Sequence, residues 1–191
     1  MKYGIIYADP AWSYDDASLN RGGALRHYKT MSTEDMCALP VANLAASDCT
    51  LFMWATFPKL LEAFTLMSSW GFLYKTCAFV WIKTNKREIV NQASFFPSDS
   101  FDSFWGMGRW TRSNAEICLL GVRGKPKRQS AGVHQIIYAP ISSHSKKPPE
   151  TRAKIIELLG DLPRVELFAR QATDGWDVWG NEIENTVELT V

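Results

Sequence analysis

The sequence predicts a doubly wound α/β domain, a mostly parallel sheet with helices on both faces in the Rossmann-like three-layer α/β/α manner. Three observations predict it. Apolar runs of strand length recur without polar alternation, as strands covered on both faces require. Amphipathic helical patterns lie between several of these runs, giving strand–helix–strand crossovers. The first run stops abruptly at Asp9-Pro10. Proline has no N–H for a ladder and holds the preceding residue extended, so the strand ends there. Asp9 then stands at a strand's carboxyl end, the edge where open α/β sheets bind ligands, with Trp12 on the following loop.

The elements follow in order. Residues 3–8 form the first strand, and the polar, glycine-bearing stretch 13–30 reads as a long binding loop or lid. Ser32-Thr33-Glu34-Asp35 fits a capping box opening a short helix that Pro40 ends. Residues 49–55 form a second strand, and 58–69 a helix with Pro58 in its first turn and Gly71 beyond its end. Residues 72–83 contain a third strand, reached from the second by a connection that reads as a right-handed parallel crossover. The stretch 84–114 is an irregular loop rich in aromatics. Strands follow at 115–122, 135–139 and 164–168, with an amphipathic helix at 149–159 closed by Gly160. Residues 176–179 and 187–191 are weaker strand candidates.

The chain has 191 residues, enough for one sizeable core, and no composition shift marks a boundary, so 1–191 reads as a single domain. A net charge of +1 excludes a global field for a polyanion, and any nucleic-acid affinity has to come from local patches. No apolar run reaches the ~20 residues of a membrane helix and no signal peptide is visible, which points to the cytoplasm. Cys37, Cys49, Cys77 and Cys118 have no C-x-x-C spacing and read as reduced thiols. With His27, His134 and His144 far apart, no metal site is expected. Neither a P-loop nor a G-x-G-x-x-G fingerprint after a strand is present, and there is no G-x-S-x-G elbow.

Asp9-Pro10-Ala11-Trp12 read alone is a turn with a carboxylate and a large aromatic, suited to a flat, hydrogen-bonding ligand. With its company it resembles the adenine-N6 methyltransferases whose catalytic motif is Asp-Pro-Pro-Trp. That family includes the catalytic subunit of the eukaryotic mRNA adenosine methyltransferase and many bacterial and phage members. The blocks that carry the likeness run in order: Ala8–Trp12, Tyr28-Lys29-Thr30-Met31-Ser32, Leu51-Phe52-Met53-Trp54, and Val80-Trp81-Ile82-Lys83-Thr84-Asn85. They continue through Cys118–Gly124, Ser145–Glu150, Val165-Glu166-Leu167-Phe168-Ala169-Arg170 and Gly180-Asn181.

The chemistry suits these residues independently. The exocyclic nitrogen of adenine is a poor nucleophile because its lone pair is delocalised. Two acceptors, the Asp9 carboxylate and the Pro10 carbonyl, can bind its N–H groups and turn that pair out of the ring. Trp12 and Tyr28 would sandwich the base, stacking being worth ~1–3 kcal/mol.

The resemblance implies S-adenosylmethionine as methyl donor, with S-adenosylhomocysteine as product, and a polynucleotide substrate, DNA before RNA. It implies Lys147 on the methionine carboxylate and Glu166 on the ribose hydroxyls, joined by Asp9, Phe168 and Arg170, with Asn181 and Glu182 near the ribose or adenine edge. Lys29 and Tyr28 fall to the substrate side. The basic run 123–128, with Arg123 and Lys125, is expected to contact phosphates. A monomer or homodimer is expected. Two alternatives stay open: an RNA adenosine methyltransferase, and an inactive nucleic-acid-binding subunit of the same fold, a type that tends to lose the acidic residue kept here as Asp9. The chain departs from the family at Ala11, where a second proline is usual. It departs again at Ala172-Thr173, where some relatives carry His-Asn, and at Glu182, where a glutamine is usual.

Overall fold

The computed structural model describes residues 1–13, 30–85, 104, 106, 110–142 and 146–189. In chain order its elements are β1 (Tyr3–Ala8), α1 (Thr33–Ala38), β2 (Ala45–Ala55), α2 (Leu60–Ser69), β3 (Leu73–Thr84), β4 (Ala115–Arg123), β5 (Ile136–Pro140), α3 (Glu150–Leu159), β6 (Arg164–Leu167) and β7 (Asp177–Trp179). The strands form a single sheet in the order β5-β3-β4-β2-β1-β6-β7. β1 pairs in parallel with β2 and β6, β6 with β7, and β3 with β5. β4 alone is reversed, antiparallel to both β2 and β3.

Alternation along the strands divides the core into two layers. Ile6, Ala8, Leu51, Met53, Leu119, Val165 and Leu167 point to one face, where Met36 of α1 and Ala63, Leu66 and Met67 of α2 cover them. Ile5, Tyr7, Phe52, Trp54, Phe79, Trp81 and Cys118 point to the other, under Ile155 and Leu159 of α3. Every residue of β1 is buried. The connections through α1 and α2 step towards β5 on the first face, and the one through α3 steps back towards β7 on the second. Opposite directions on opposite faces keep one crossover hand. β1 is therefore the strand at which the winding reverses, and its carboxyl end is the switch point of the sheet.

The three-layer arrangement is the one expected, and local signals hold where they have a local cause. Ser32 caps α1, its Oγ accepting from the Asp35 N–H at 3.0 Å. Gly160 ends α3 at φ +85°, donating to the Ile156 carbonyl at 2.7 Å. Two expectations need correction, the start of β2 and the last weak strand. β2 begins four residues before 49, because Ala45 already pairs with Tyr3. The crossover through α2 joins parallel strands as expected, with β4 inserted between them and antiparallel to both. A strand buried on both faces carries no pattern that reveals its direction, so nothing local marks β4 as reversed. Residues 187–189 form no strand. Residues 14–29 of the lid expected at 13–30, and most of the aromatic loop 84–114, lie outside the described residues.

Candidate active site

The site begins where β1 ends. The Asp9 N–H donates to the Leu167 carbonyl at 3.4 Å, tying the turn to the end of β6. The Pro10 carbonyl accepts from the Trp12 N–H at 2.9 Å, and the Ala11 carbonyl from the Met31 N–H at 3.1 Å. Trp12 and Met31 form a parallel bridge. The Trp12 indole N–H donates to the Trp54 carbonyl at 3.2 Å, and the ring is 4% exposed, packed with the core. These contacts fix the turn without a proline at position 11. They also make Trp12 the floor of the turn: with the ring buried, it is no open stacking face.

Asp9 is capped by a lysine. Lys147 Nζ lies 2.7 Å from Asp9 Oδ1 and 2.8 Å from Oδ2, and 3.4 Å from Glu116 Oε2. Lys83 Nζ donates to Glu116 Oε1 at 2.5 Å. Four charges thus alternate along the carboxyl edge of the sheet: Asp9 from β1, Lys147 from the loop before α3, Glu116 from β4, Lys83 from the end of β3. Glu116 is there because β4 is reversed and starts at the edge where its neighbours finish. The Lys147 ammonium sits 5.8 Å from the centre of the Trp54 ring. Burial pushes the Asp9 carboxyl above its ordinary value, against the pull of Lys147. Burial pushes Glu116 up as well, but Lys147 and Lys83 outweigh it and leave it lowered. Burial works to lower Lys147, yet Asp9 and Glu116 together raise it to about 12. The lysine is a firm cation between two carboxylates.

A second pair lies on the β6 side. Arg152, two residues into α3, grips Glu166 with both ends of its fork: Nε to Oε2 at 2.7 Å and Nη2 to Oε1 at 2.6 Å. The guanidinium stands 5.5 Å from the centre of the Tyr7 ring, whose hydroxyl accepts from the Trp54 indole N–H at 2.7 Å. Burial raises Glu166 despite Arg152. The bidentate grip takes one lone pair from each oxygen and leaves the others for a further donor.

The remaining residues singled out from sequence divide in three. Phe168 follows β6 with φ 61°, and its ring stacks on Trp70 (6.4 Å between centres) and meets Trp179 edge-on (5.4 Å), so its side chain faces the core. Arg170 is half-buried and its charge acts on Asp9, while Asn181 and Glu182 are exposed beyond β7. Arg123 and Lys125 stand elsewhere. Arg123 pairs opposite Cys49, in the amino-terminal half of β2, whereas Ala8, just before the Asp9-Pro10 turn, pairs opposite Met53 near its carboxyl end. The separation along the strand is roughly 15 Å at ~3.3 Å per residue. Arg123 donates to the Ala42 carbonyl at 2.8 Å, and the Lys125 N–H to Asp48 Oδ1 at 2.7 Å. The basic loop expected beside the substrate is on the far rim, a consequence of the reversed β4. Tyr28 and Lys29 lie outside the described residues.

Two functional candidates escaped the sequence reading, Glu116 and Arg152, and Lys83, which stands in one of the family blocks, was not expected beside Asp9. Glu116 had a signal, a lone carboxylate opening a buried apolar run, which seldom stays buried without a partner. Among the described residues no group of three His, Cys, Asp or Glu side chains converges on a metal position, and no helix is long and apolar enough to cross a membrane.

The family model described as MT-A70 matches residues 3–182. The type II methyltransferase M.MunI of Mycoplasma sp is 34% identical over 208 residues, an alignment covering 98% of this chain and 81% of the relative. The N(6)-adenosine-methyltransferase MT-A70-like of Arabidopsis thaliana is 27% identical, over 98% of this chain and 24% of its own length. The N(6)-adenosine-methyltransferase catalytic subunit METTL3 of Homo sapiens is 26% identical, over 96% and 28%. The chain spans about a quarter of these two longer relatives.

Proposed function

This chain belongs to the MT-A70 family, and we propose that it transfers a methyl group from S-adenosylmethionine to the N6 amine of adenine in DNA. The observation that carries the reading is the Asp9-Pro10 turn: a half-buried carboxylate and a backbone carbonyl side by side, at the end of the switch-point strand of the sheet. DNA is favoured over RNA because M.MunI, 81% of which this chain covers, is a type II methyltransferase. Retention of Asp9, Lys147 and Glu166 favours catalysis over the role of an inactive partner subunit.

The donor set suits the cofactor. A buried cation and a partly engaged carboxylate flank Asp9, and the cofactor carries a carboxylate and a ribose diol. Lys147 would hold the first and Glu166, steadied by Arg152, the second, with Phe168, Arg170, Asn181 and Glu182 along the same edge. Bound there, S-adenosylmethionine supplies an electrophilic methyl group on its sulfonium. Asp9 and the Pro10 carbonyl accept the two amine N–H groups and orient the nitrogen lone pair, so positioning carries most of the rate. Once the amine is alkylated, Asp9 lies next to the proton it must lose. Trp12 supports the turn from below, which leaves base stacking to Tyr28, with Lys29 beside it. A paired base has to leave its duplex to reach such a pocket. The reading takes 1–191 as one catalytic domain, a monomer or homodimer in the cytoplasm of a bacterial or phage-infected cell.

The test is transfer of labelled methyl from S-adenosylmethionine to single-stranded DNA, duplex DNA and RNA, with Asp9→Ala as control. DNA should be labelled at adenine N6, and the variant should lose roughly a hundredfold or more. Cofactor binding without transfer to any polymer would favour the inactive-subunit reading. Preference for RNA would overturn the choice of polymer and keep the mechanism.

A further inference from the structure

The first face of the sheet is covered only in part. α2 rests on β4, where a Cβ added at Gly121 would meet Met67 Sδ at 2.7 Å. Beyond β4 stand β3 and then β5, the edge strand. Val80 pairs opposite Ile117, which packs with the first core layer, so Val80 belongs to that face. Ile136 pairs opposite Val80 and Tyr138 opposite Ile82, which brings β5 onto the same face. On the second face Phe79, Trp81, Ile137 and Ala139 are buried with Ile155 and Leu159 of α3. On the first, Val80 and Ile82 are half-buried and Ile136 and Tyr138 are exposed.

α2 also has an apolar side that the core does not use. Phe57, in the turn before the helix, is followed by Leu61 and Phe64 at one-turn spacing, opposite Ala63, Leu66 and Met67. Phe64 meets Tyr74 of β3 edge-on, with 4.9 Å between ring centres, so the helix stripe and the open strands form one surface. Phe57, Leu61, Phe64, Tyr74, Ile136 and Tyr138 are 37% to 80% exposed. Side chains of that size leave roughly 600 Å² in water at such exposure. A contiguous apolar patch on a monomer is seldom larger, and a standard interface takes ~800 Å² from each partner.

We propose that this surface joins two copies of the chain about a two-fold axis, the α2 stripe of each lying on the β3–β5 face of the other. What the surface holds points to a second copy. An open sheet face wants a helix over it, and an unused apolar helix stripe stands beside it. A two-fold gives each half its counterpart and closes the pair. Pairing also covers the face of an edge strand that would otherwise invite aggregation. Asp9 stays clear of the contact, because β1 lies three strands from β3, roughly 14 Å at ~4.8 Å per strand. Pairing of this kind is independent of the methyl transfer.

The experiment is analytical ultracentrifugation of the full chain over a wide concentration range, with circular dichroism on the same samples. Wild type should be a dimer that dissociates on dilution. Leu61→Glu places an acid in the first turn of α2, where the helix dipole favours it. Ile136→Lys places a base on β5. Each variant puts two charges into the contact, one per copy, and should raise the dimer dissociation constant about a hundredfold or more. Circular dichroism should stay that of wild type. Mixed in equal amounts, the two variants should pair again, because one copy's new carboxylate meets the other's new ammonium. A wild type that is monomeric at every concentration overturns the pairing and leaves the surface to another occupant. Variants that stay dimeric overturn it as well, and a mixture that stays monomeric overturns the seating of α2 on the sheet. If Ile136→Lys fails to fold, Leu61→Glu against wild type decides.

Discussion

Arg152 and Glu166 are 13% and 8% exposed at their side chains, so each charge depends on the other. Removing one partner of such a pair costs far more than the pair contributes. Arg152→Met is expected to destabilise the fold by ~3–5 kcal/mol in a denaturant titration. Adding Glu166→Gln should restore part of that loss, because the stranded charge is gone. The pair also shows what a sequence yields at this scale. Glu166 could be named because it ends a strand inside a recognisable block. Its partner is one of several charged residues on a helix, and only folding turns that residue towards Tyr7. Lys147 gives a pH signature. Asp9 and Glu116 raise it from 10.5 to about 12 against the effect of burial. In that interval the folded state keeps a proton the unfolded state has lost, so stability falls as pH rises, in all by about 2 kcal/mol. Cys49, pushed up to about 12 by burial, acts in the same direction. The lysine's share is therefore the difference between wild-type and Lys147→Met unfolding curves from pH 10 to 12, and equal slopes would contradict it.

The elements that build the site are held by close backbone contacts. After β7, Gly180 lies so near the strand-end segment 168–169 that an added Cβ would meet the Ala169 carbonyl oxygen at 2.0 Å and its nitrogen at 2.9 Å. Backbone cannot move aside as a side chain can. Gly180→Ala should cost ~2–3 kcal/mol, seen as a lower melting temperature, and should also weaken cofactor binding through Phe168 and Arg170. Gly121, on β4, is the contrast. Its added Cβ would meet Met67 Sδ at 2.7 Å, an atom at the end of a flexible chain, so Gly121→Ala should melt closer to wild type. Element boundaries were legible where a cap, a proline or a glycine imposes them, as at Ser32, Asp9-Pro10 and Gly160. The direction of β4 was not. Both its faces are covered, so its apolar run reads the same either way, and reversal only becomes visible when Cys49 is found opposite Arg123.

Across the whole molecule that reversal separates two kinds of charge. The alternating cluster of Asp9, Lys147, Glu116 and Lys83 sits on the carboxyl rim, and the basic run 123–128 on the opposite one. The strand order explains why a charge count could not tell them apart: Glu116 opens β4 and the basic run closes it. Lys125→Ala should leave methyl transfer to DNA within about twofold of wild type, and should leave the slope of log binding constant against log salt unchanged. A slope shallower by about one charge would put that lysine on the phosphates after all. The doubly wound class could be read from the order of strands and helices, but the reversal at β1 rests on its pairing with both β2 and β6. The pairing of β4 between β2 and β3 could not be read from that order, because it is set by contacts distant in sequence.

A reversed strand gives its two adjoining loops different constraints. The chain entering β4 has to deliver Glu116 to Lys83 and Lys147 beside Asp9. The chain leaving it at 125–128 is held at Gly124, whose φ of +67° and closeness to the Ser47 carbonyl oxygen fix the exit, and by the Lys125 N–H on Asp48 Oδ1 at 2.7 Å. Beyond those contacts the rim is largely exposed, and a foreign segment joined there would lie about a strand's length from the Asp9-Pro10 turn. A lineage in search of a new recognition module has, in those four residues, a place to acquire one without first giving up its activity.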